Sequence, residues 1–108
     1  MEPTARKAKN YRNAAGKSPF REWILRKLDG DVRNRINARI RRIEENGNYG
    51  DCEPVGSGVY ELKLDTGPGY RVYFGIDGDR IILLGGGAKD TQDSDIRKAQ
   101  ECWGNYNA

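Results

Sequence analysis

Between residues 59 and 76 the chain alternates apolar and polar side chains twice, and the polar set has chemical capability. In Val59-Tyr60-Glu61-Leu62-Lys63-Leu64, one side carries Tyr60, Leu62 and Leu64 and the other Val59, Glu61 and Lys63. In Tyr70 to Ile76, one side carries Tyr70, Val72, Phe74 and Ile76 and the other Arg71, Tyr73 and Gly75. Successive side chains of a strand point to opposite faces. If Leu62, Leu64, Val72 and Phe74 meet a core, Glu61, Lys63, Arg71 and Tyr73 must share the opposite face. Lys89 follows the next strand and would rim that surface. Two cations, a carboxylate and a phenol suit a phosphate- or RNA-binding concavity: the cations hold phosphates and Tyr73 stacks on a base. The same residues also suit a solvated sheet face with cross-strand ion pairs. A second basic set (Arg33, Arg35, Arg39, Arg41 and Arg42) lies upstream. Arg33 and Arg39 flank an apolar stripe and Arg41 points away from it. Here the choice is between contact with nucleic acid or an acidic partner and an exposed helix face.

Other chemistries are poorly supplied. There is no His, and Cys52 and Cys102 are the only cysteines. They cannot build a three- or four-ligand zinc site alone, and their spacing is not that of a redox pair. Both read as reduced thiols of a cytoplasmic protein. Asp90, Asp93 and Asp95 need no metal, because acidic residues are favourable at a helix N-terminus without one. Gly85-Gly86-Gly87-Ala88-Lys89-Asp90-Thr91 resembles a phosphate loop but puts Ala88 and Asp90 where Gly and Ser or Thr are required. It reads instead as a flexible strand-to-helix connection. No apolar run approaches a membrane span, and the polar N-terminus does not read as a secretion signal. No cofactor is indicated.

The elements that would position these residues follow from the pattern. The chain has 108 residues, enough for one domain over 1–108. Residues 1–50 hold 13 Lys and Arg against 6 Asp and Glu, and residues 51–108 hold 6 against 10. The basic half suits an anionic partner. Residues 1–17 read as an edge strand, roughly Ala5 to Arg12, or as a loose arm. Ser18-Pro19 opens a helix, with Phe20, Trp23, Ile24 and Leu28 on one face. Asp31 is the expected cap of a second helix running to about Asn46-Gly47, with Val32, Ile36, Ile40 and Ile43 inward. Residues 47–58 read as a loop. Two strands follow, Asp77-Gly78 marks a hairpin turn, and Arg80 to Leu84 reads as a central strand ended by Gly85-Gly86-Gly87. Thr91 or Asp93 caps a last helix, where Ile96, Ala99 and Trp103 share a face. Trp23 and Trp103 read as packing residues and Tyr106 as a surface residue. The expected class is α+β: an N-terminal helical hairpin on a small twisted antiparallel sheet, with a C-terminal helix.

Gly58-Val59-Tyr60-Glu61-Leu62-Lys63, Gly67-Pro68-Gly69-Tyr70-Arg71-Val72-Tyr73-Phe74 and Leu84-Gly85-Gly86-Gly87-Ala88-Lys89-Asp90-Thr91-Gln92-Asp93-Ser94-Asp95-Ile96 together resemble a known family. This is the addiction module killer proteins, the HigB-like, phage Gp49-related branch of the RelE/ParE toxin superfamily. Ser18-Pro19-Phe20-Arg21-Glu22-Trp23 and Gly50-Asp51-Cys52-Glu53-Pro54-Val55-Gly56 fit the same pattern, from about residue 16 onward. The resemblance implies a toxin of a toxin–antitoxin pair, with a helix-turn-helix antitoxin as partner. It implies either a ribosome-dependent, metal-independent endoribonuclease acting on mRNA, or a ParE-like protein that poisons DNA gyrase. A degenerate toxin that only binds its antitoxin is a third expectation. By resemblance Arg71 contacts the reacting phosphate, and Lys63 and Lys89 match the family's other two basic positions. RelE-like toxins carry a Tyr in the C-terminal helix. The equivalent here falls near Asp95 or Ile96, so by the resemblance that role is either vacant or transferred, with Tyr73 as one substitute. Lys63 would serve as base if Arg71 and Lys89 lowered its pKa, with Glu61 as the competing base. Arg33, Arg39, Arg41 and Arg42 would supply further RNA contacts.

Overall fold

Both alternating segments are strands, and they pair as their patterns require. The computed structural model describes residues 5–108. Its elements are β1 (Lys7–Asn10), α1 (Pro19–Arg26), α2 (Gly30–Asn46), β2 (Cys52–Pro54), β3 (Val59–Leu64), β4 (Tyr70–Asp77), β5 (Arg80–Ala88) and α3 (Gln92–Tyr106), with a 3-10 turn over Lys89–Thr91. The five strands form one sheet in the order β1-β5-β4-β3-β2. β2 to β5 pair antiparallel, while β1 lies parallel to β5, with Lys7 opposite Arg80. The architecture is α+β, and the sheet is mixed rather than purely antiparallel.

The helix starts are set by side-chain caps. Ser18 Oγ accepts the Arg21 N–H at 3.1 Å and Pro19 takes the first helical position, where no N–H is needed. The cap of α2 is Asp29, whose Oδ1 accepts the Val32 N–H at 3.0 Å. Asp31, the expected cap, sits in the first turn instead. α2 ends at Gly47, which adopts φ 71°, a left-handed geometry suited to glycine. The last two strands are joined through Gly78 and Asp79, with Asp77 opposite Arg80.

Both sheet faces are covered. On one, Phe20, Ile24 and Leu28 with Ile36, Ile40 and Ile43 of α2 join Leu62, Leu64, Val72, Phe74, Ile81 and Leu83 in a single core. On the other, Ala99 of α3 closes over Val59, Tyr73, Ile82 and Leu84, with Ile96 and Trp103 packed at the margin. The run Ile81 to Leu84 is apolar on successive residues because this strand faces both cores.

Two expectations are corrected. The segment 47–58 is not all loop: Cys52–Pro54 pairs with Tyr60–Leu62 as an edge strand. Its residues show no alternating apolar pattern, and an edge tolerates Pro54. The glycine run does not end β5, because Gly85, Gly86 and Gly87 remain paired with Tyr73, Val72 and Arg71. Gly86 and Gly87 are required for space. A side chain on Gly86 would overlap the Trp23 indole, and one on Gly87 would overlap the Asp95 carboxylate. Gly75 is likewise roofed by Trp103. An irregularity in the ladder at Tyr73/Phe74 leaves Leu84 unpaired, so Leu84 and Gly85 together oppose Tyr73.

Neighbouring glycines therefore should respond differently. Gly86→Ala must displace Trp23 and should lower the urea-unfolding free energy by about 1–3 kcal/mol. Gly85→Ala meets no atom within 4 Å and should change it by less than about 0.5 kcal/mol. Equal effects of the two substitutions would refute the packing account of the glycine run.

Candidate functional site

Register places the candidate residues in two adjacent cross-strand pairs: Lys63 opposite Arg71, and Glu61 opposite Tyr73. Neither an open concavity nor a solvated face results. α3 lies over this side, and Glu61 and Tyr73 have no exposed surface. Arg71 keeps 12% of its side-chain surface and Lys63 keeps 26%. The face therefore grades from a buried carboxylate and phenol to two cations at its end. The apolar Val59, Ile82 and Leu84 around the polar set carried the signal that this face was roofed.

Besides Tyr73 opposite, the Glu61 carboxylate has two polar neighbours of different kinds. Its Oε2 accepts a hydrogen bond from Gln92 Nε2 at 2.9 Å. Its Oε1 stands 3.8 Å from Arg71 Nε, an ion pair too long for a hydrogen bond. Glu61 Oε1, Arg71 Nε and the Tyr73 hydroxyl are all buried without a hydrogen bond. Gln92, the first residue of α3, was not singled out from the sequence, because a polar residue beside a helix start reads as surface. Here it reaches back to the sheet.

At the mouth, Gly69 separates two cations. A side chain there would lie 3.8 Å from Arg71 Nη1 and 3.6 Å from Lys89 Cβ. Gly69 adopts φ 79°, which other residues rarely adopt, so this gap stays open. Lys89 is exposed and borders a shallow groove of about 460 Å³ that also touches Gln92 and Arg97. Thr91 donates to Asp95 Oδ2 at 2.6 Å, which fixes that carboxylate over Gly87, the partner of Arg71. Thr91 precedes α3, but its hydroxyl makes no capping bond.

Lys63 departs from expectation. Its Nζ pairs with Glu53 Oε1 at 2.6 Å, and that hydrogen bond raises its pKa instead of lowering it. Glu53 lies in a segment whose sequence reads as loop, so no pattern announces this partner. Tyr73 is also pushed above the ordinary tyrosine range, first by burial and then by the charge of Glu61 opposite. Both groups stay protonated at neutral pH.

The basic residues of α2 do not join this site. α2 packs on the other face of the sheet. Arg39 is committed there: Nη1 donates to the Lys63 carbonyl at 2.7 Å and Nη2 to the Tyr49 carbonyl at 3.0 Å. Burial, then the charge of Arg42, lowers its pKa. Arg33 is half-buried beside Phe20, Ile24 and Leu25, whereas Arg41 and Arg42 are exposed. Tyr106, expected at the surface, stacks on Trp103 with centroids 5.3 Å apart and donates to Asp77 Oδ2 at 2.6 Å.

The family model for "Phage derived protein Gp49-like (DUF891)" matches residues 23–103. The chain belongs to this Gp49-like family. The family is associated with toxin–antitoxin systems. The match runs from Trp23 in α1 to Trp103 in α3 and so contains every residue of the Arg71 site. A protein of Haemophilus influenzae, described only as uncharacterized, is 44% identical over 82 residues, covering 75% of this chain and 82% of that relative. No solved structure matches.

Among the described residues of this Gp49-like protein, no group of three or more His, Cys, Asp or Glu is placed to hold a metal. No helix among them is long and apolar enough to cross a membrane. Both cysteines are free, and burial pushes the Cys52 thiol up to about 11 from 9.0.

The raised groups set the alkaline limit of the fold. Cys52, Lys63 and Tyr73 all hold their protons more tightly folded than unfolded. The folded state then binds more protons, so stability must fall as pH rises. The Cys52 contribution is complete below about pH 9 and is lost by about pH 11; those of Tyr73 and Lys63 act in the same direction. Urea midpoints should decline from pH 9 upward. A flat or rising stability over this window would contradict the assignment.

Proposed function

We propose that this protein is the toxin of a type II toxin–antitoxin pair, of RelE/ParE type and HigB-like, and that it cleaves mRNA on the ribosome. The observation that carries this reading is the Arg71 mouth: a guanidinium backed by a buried carboxylate, with Lys63 and Lys89 beside it, in a family associated with toxin–antitoxin systems. A shallow cationic rim suits a polymeric phosphate backbone better than a small enclosed ligand. The antitoxin, a helix-turn-helix protein on this reading, would be the second partner.

The reaction is attack of an RNA 2′-oxygen on the adjacent phosphorus. The bond to the 5′-oxygen breaks, leaving a 2′,3′-cyclic phosphate and a 5′-hydroxyl. The 2′-hydroxyl gives its proton to solvent water, and the 5′-oxygen takes one from a general acid. Arg71 offers a planar, permanently charged fork to the equatorial phosphate oxygens. Lys89 adds charge beside it and can protonate the leaving oxygen. Lys63 and Tyr73 are protonated at neutral pH, and Glu61 is out of reach of solvent. None of the three suits the part of base. The chain's contribution is therefore electrostatic stabilisation of the phosphorane, while the ribosome aligns the strand. Arg41 and Arg42 are exposed on the far side of the sheet and on this reading would make a separate backbone contact.

Purified protein should cleave a defined mRNA held in the A site of programmed ribosomes. Arg71→Ala should slow cleavage by about 10²–10³-fold, the usual loss when a charge-stabilising donor is removed. Arg71→Lys, which keeps the charge but loses the fork, should recover only part. Wild-type cleavage rates in Arg71→Ala would remove Arg71 from the reaction.

A further inference from the structure

Glu61 and Gln92 carry no step in that reaction, yet they share a part-buried hydrogen bond on the α3 side of the sheet. We infer that they form a positioning pair for Arg71: Gln92 holds the Glu61 carboxylate, and the carboxylate sets the direction of the guanidinium so that its terminal nitrogens face the mouth. This rests on the reading of Arg71 as the phosphate ligand.

Three features support it. The first is that Glu61 is completely buried, and a buried carboxylate must be paired and hydrogen-bonded to remain charged. Among the described residues, Gln92 Nε2 is the hydrogen-bond donor to Oε2 and Arg71 is the cation at Oε1. Secondly, the guanidinium uses its edges separately. Nε is turned inward to Glu61 and is itself buried, while Nη1 lies beside Gly69 at the rim. That rim nitrogen is the one a phosphate would engage. Thirdly, a buried ion pair is a poor stabilising device, since well-packed apolar residues of similar volume often do as well or better. Strands β3 and β4 are already joined by apolar pairs such as Leu62 opposite Val72. Charge at Glu61 is therefore better explained by orientation than by cohesion. Because Gln92 is the first residue of α3, the same bond ties the start of that helix to the Arg71 site.

Two variants test this, with two readouts. Gln92→Leu removes the donor at a half-buried position, and Glu61→Gln removes the charge while keeping the shape. The first readout does not depend on activity: exchange of the Arg71 Nε–H with water in nitrogen-15-labelled protein. In the wild type it should be at least tenfold slower than in exposed Arg41 and Arg42. In both variants it should approach the exposed rate, with the backbone spectrum preserved. The second readout is single-turnover cleavage on ribosomes. Rates at saturation should fall about tenfold through misdirection of Arg71, while half-saturating ribosome concentration stays the same. Unchanged Nε–H exchange in Gln92→Leu would overturn the proposal, as would wild-type cleavage rates in both variants. A wild-type protein that cleaves nothing would remove the proposed activity, and the exchange measurement alone would then decide whether the pair orients Arg71.

Discussion

A carboxylate without exposed surface lies inside this small protein, and the arrangement around it follows from keeping it charged. Glu61 is committed to the α3 side of β3 because Leu62 and Leu64 are needed on the other. Once α3 closes, the carboxylate loses water and must find a cation and a donor within reach. Arg71 is the cation, on the neighbouring strand and one pair along. Gln92 is the donor, brought in by the start of the helix that caused the burial. The helix and the ion pair thus depend on each other.

Close approach of α3 and α1 to the sheet has its own requirement, met by omitting side chains. Gly75 lets Trp103 lie on the sheet, Gly86 does the same for Trp23, and Gly87 leaves room for Asp95. The ladder between β4 and β5 brings the end of β5 beside Arg71, which pairs with Gly87. On the opposite side α2 is fastened by Arg39 to the backbone around Tyr49 and Lys63. The chain's positive charge is consequently divided. Arg39 serves the fold, Arg41 and Arg42 remain on the outer surface, and Arg71, Lys63 and Lys89 form the small cluster at the end of the sheet.

Much of this was legible in residue order. Alternation in β3 and β4 placed Glu61, Lys63, Arg71 and Tyr73 on one face, and the apolar run in β5 announced cover on both sides. What escaped was whatever depended on long-range contact. The short edge strand Cys52–Pro54 has no apolar pattern, so neither it nor the Glu53 partner of Lys63 could be seen. The glycine run looks the same in sequence whether it is flexible or packed under an indole. Gln92 resembles any surface amide until α3 is docked. Burial of Tyr73 and Glu61 could have been argued from Val59, Ile82 and Leu84, but the same polar residues also fit an open face.

The most direct test of the functional account is a map of RNA 5′ ends after a short pulse of expression in growing bacteria, with wild type and Arg71→Ala compared. The account predicts new ends within translated codons, dependent on ongoing translation and absent with Arg71→Ala. Growth arrest with intact mRNA, equally strong in wild type and variant, would contradict it and would leave the Arg71 cluster as an ion-paired surface without a catalytic part.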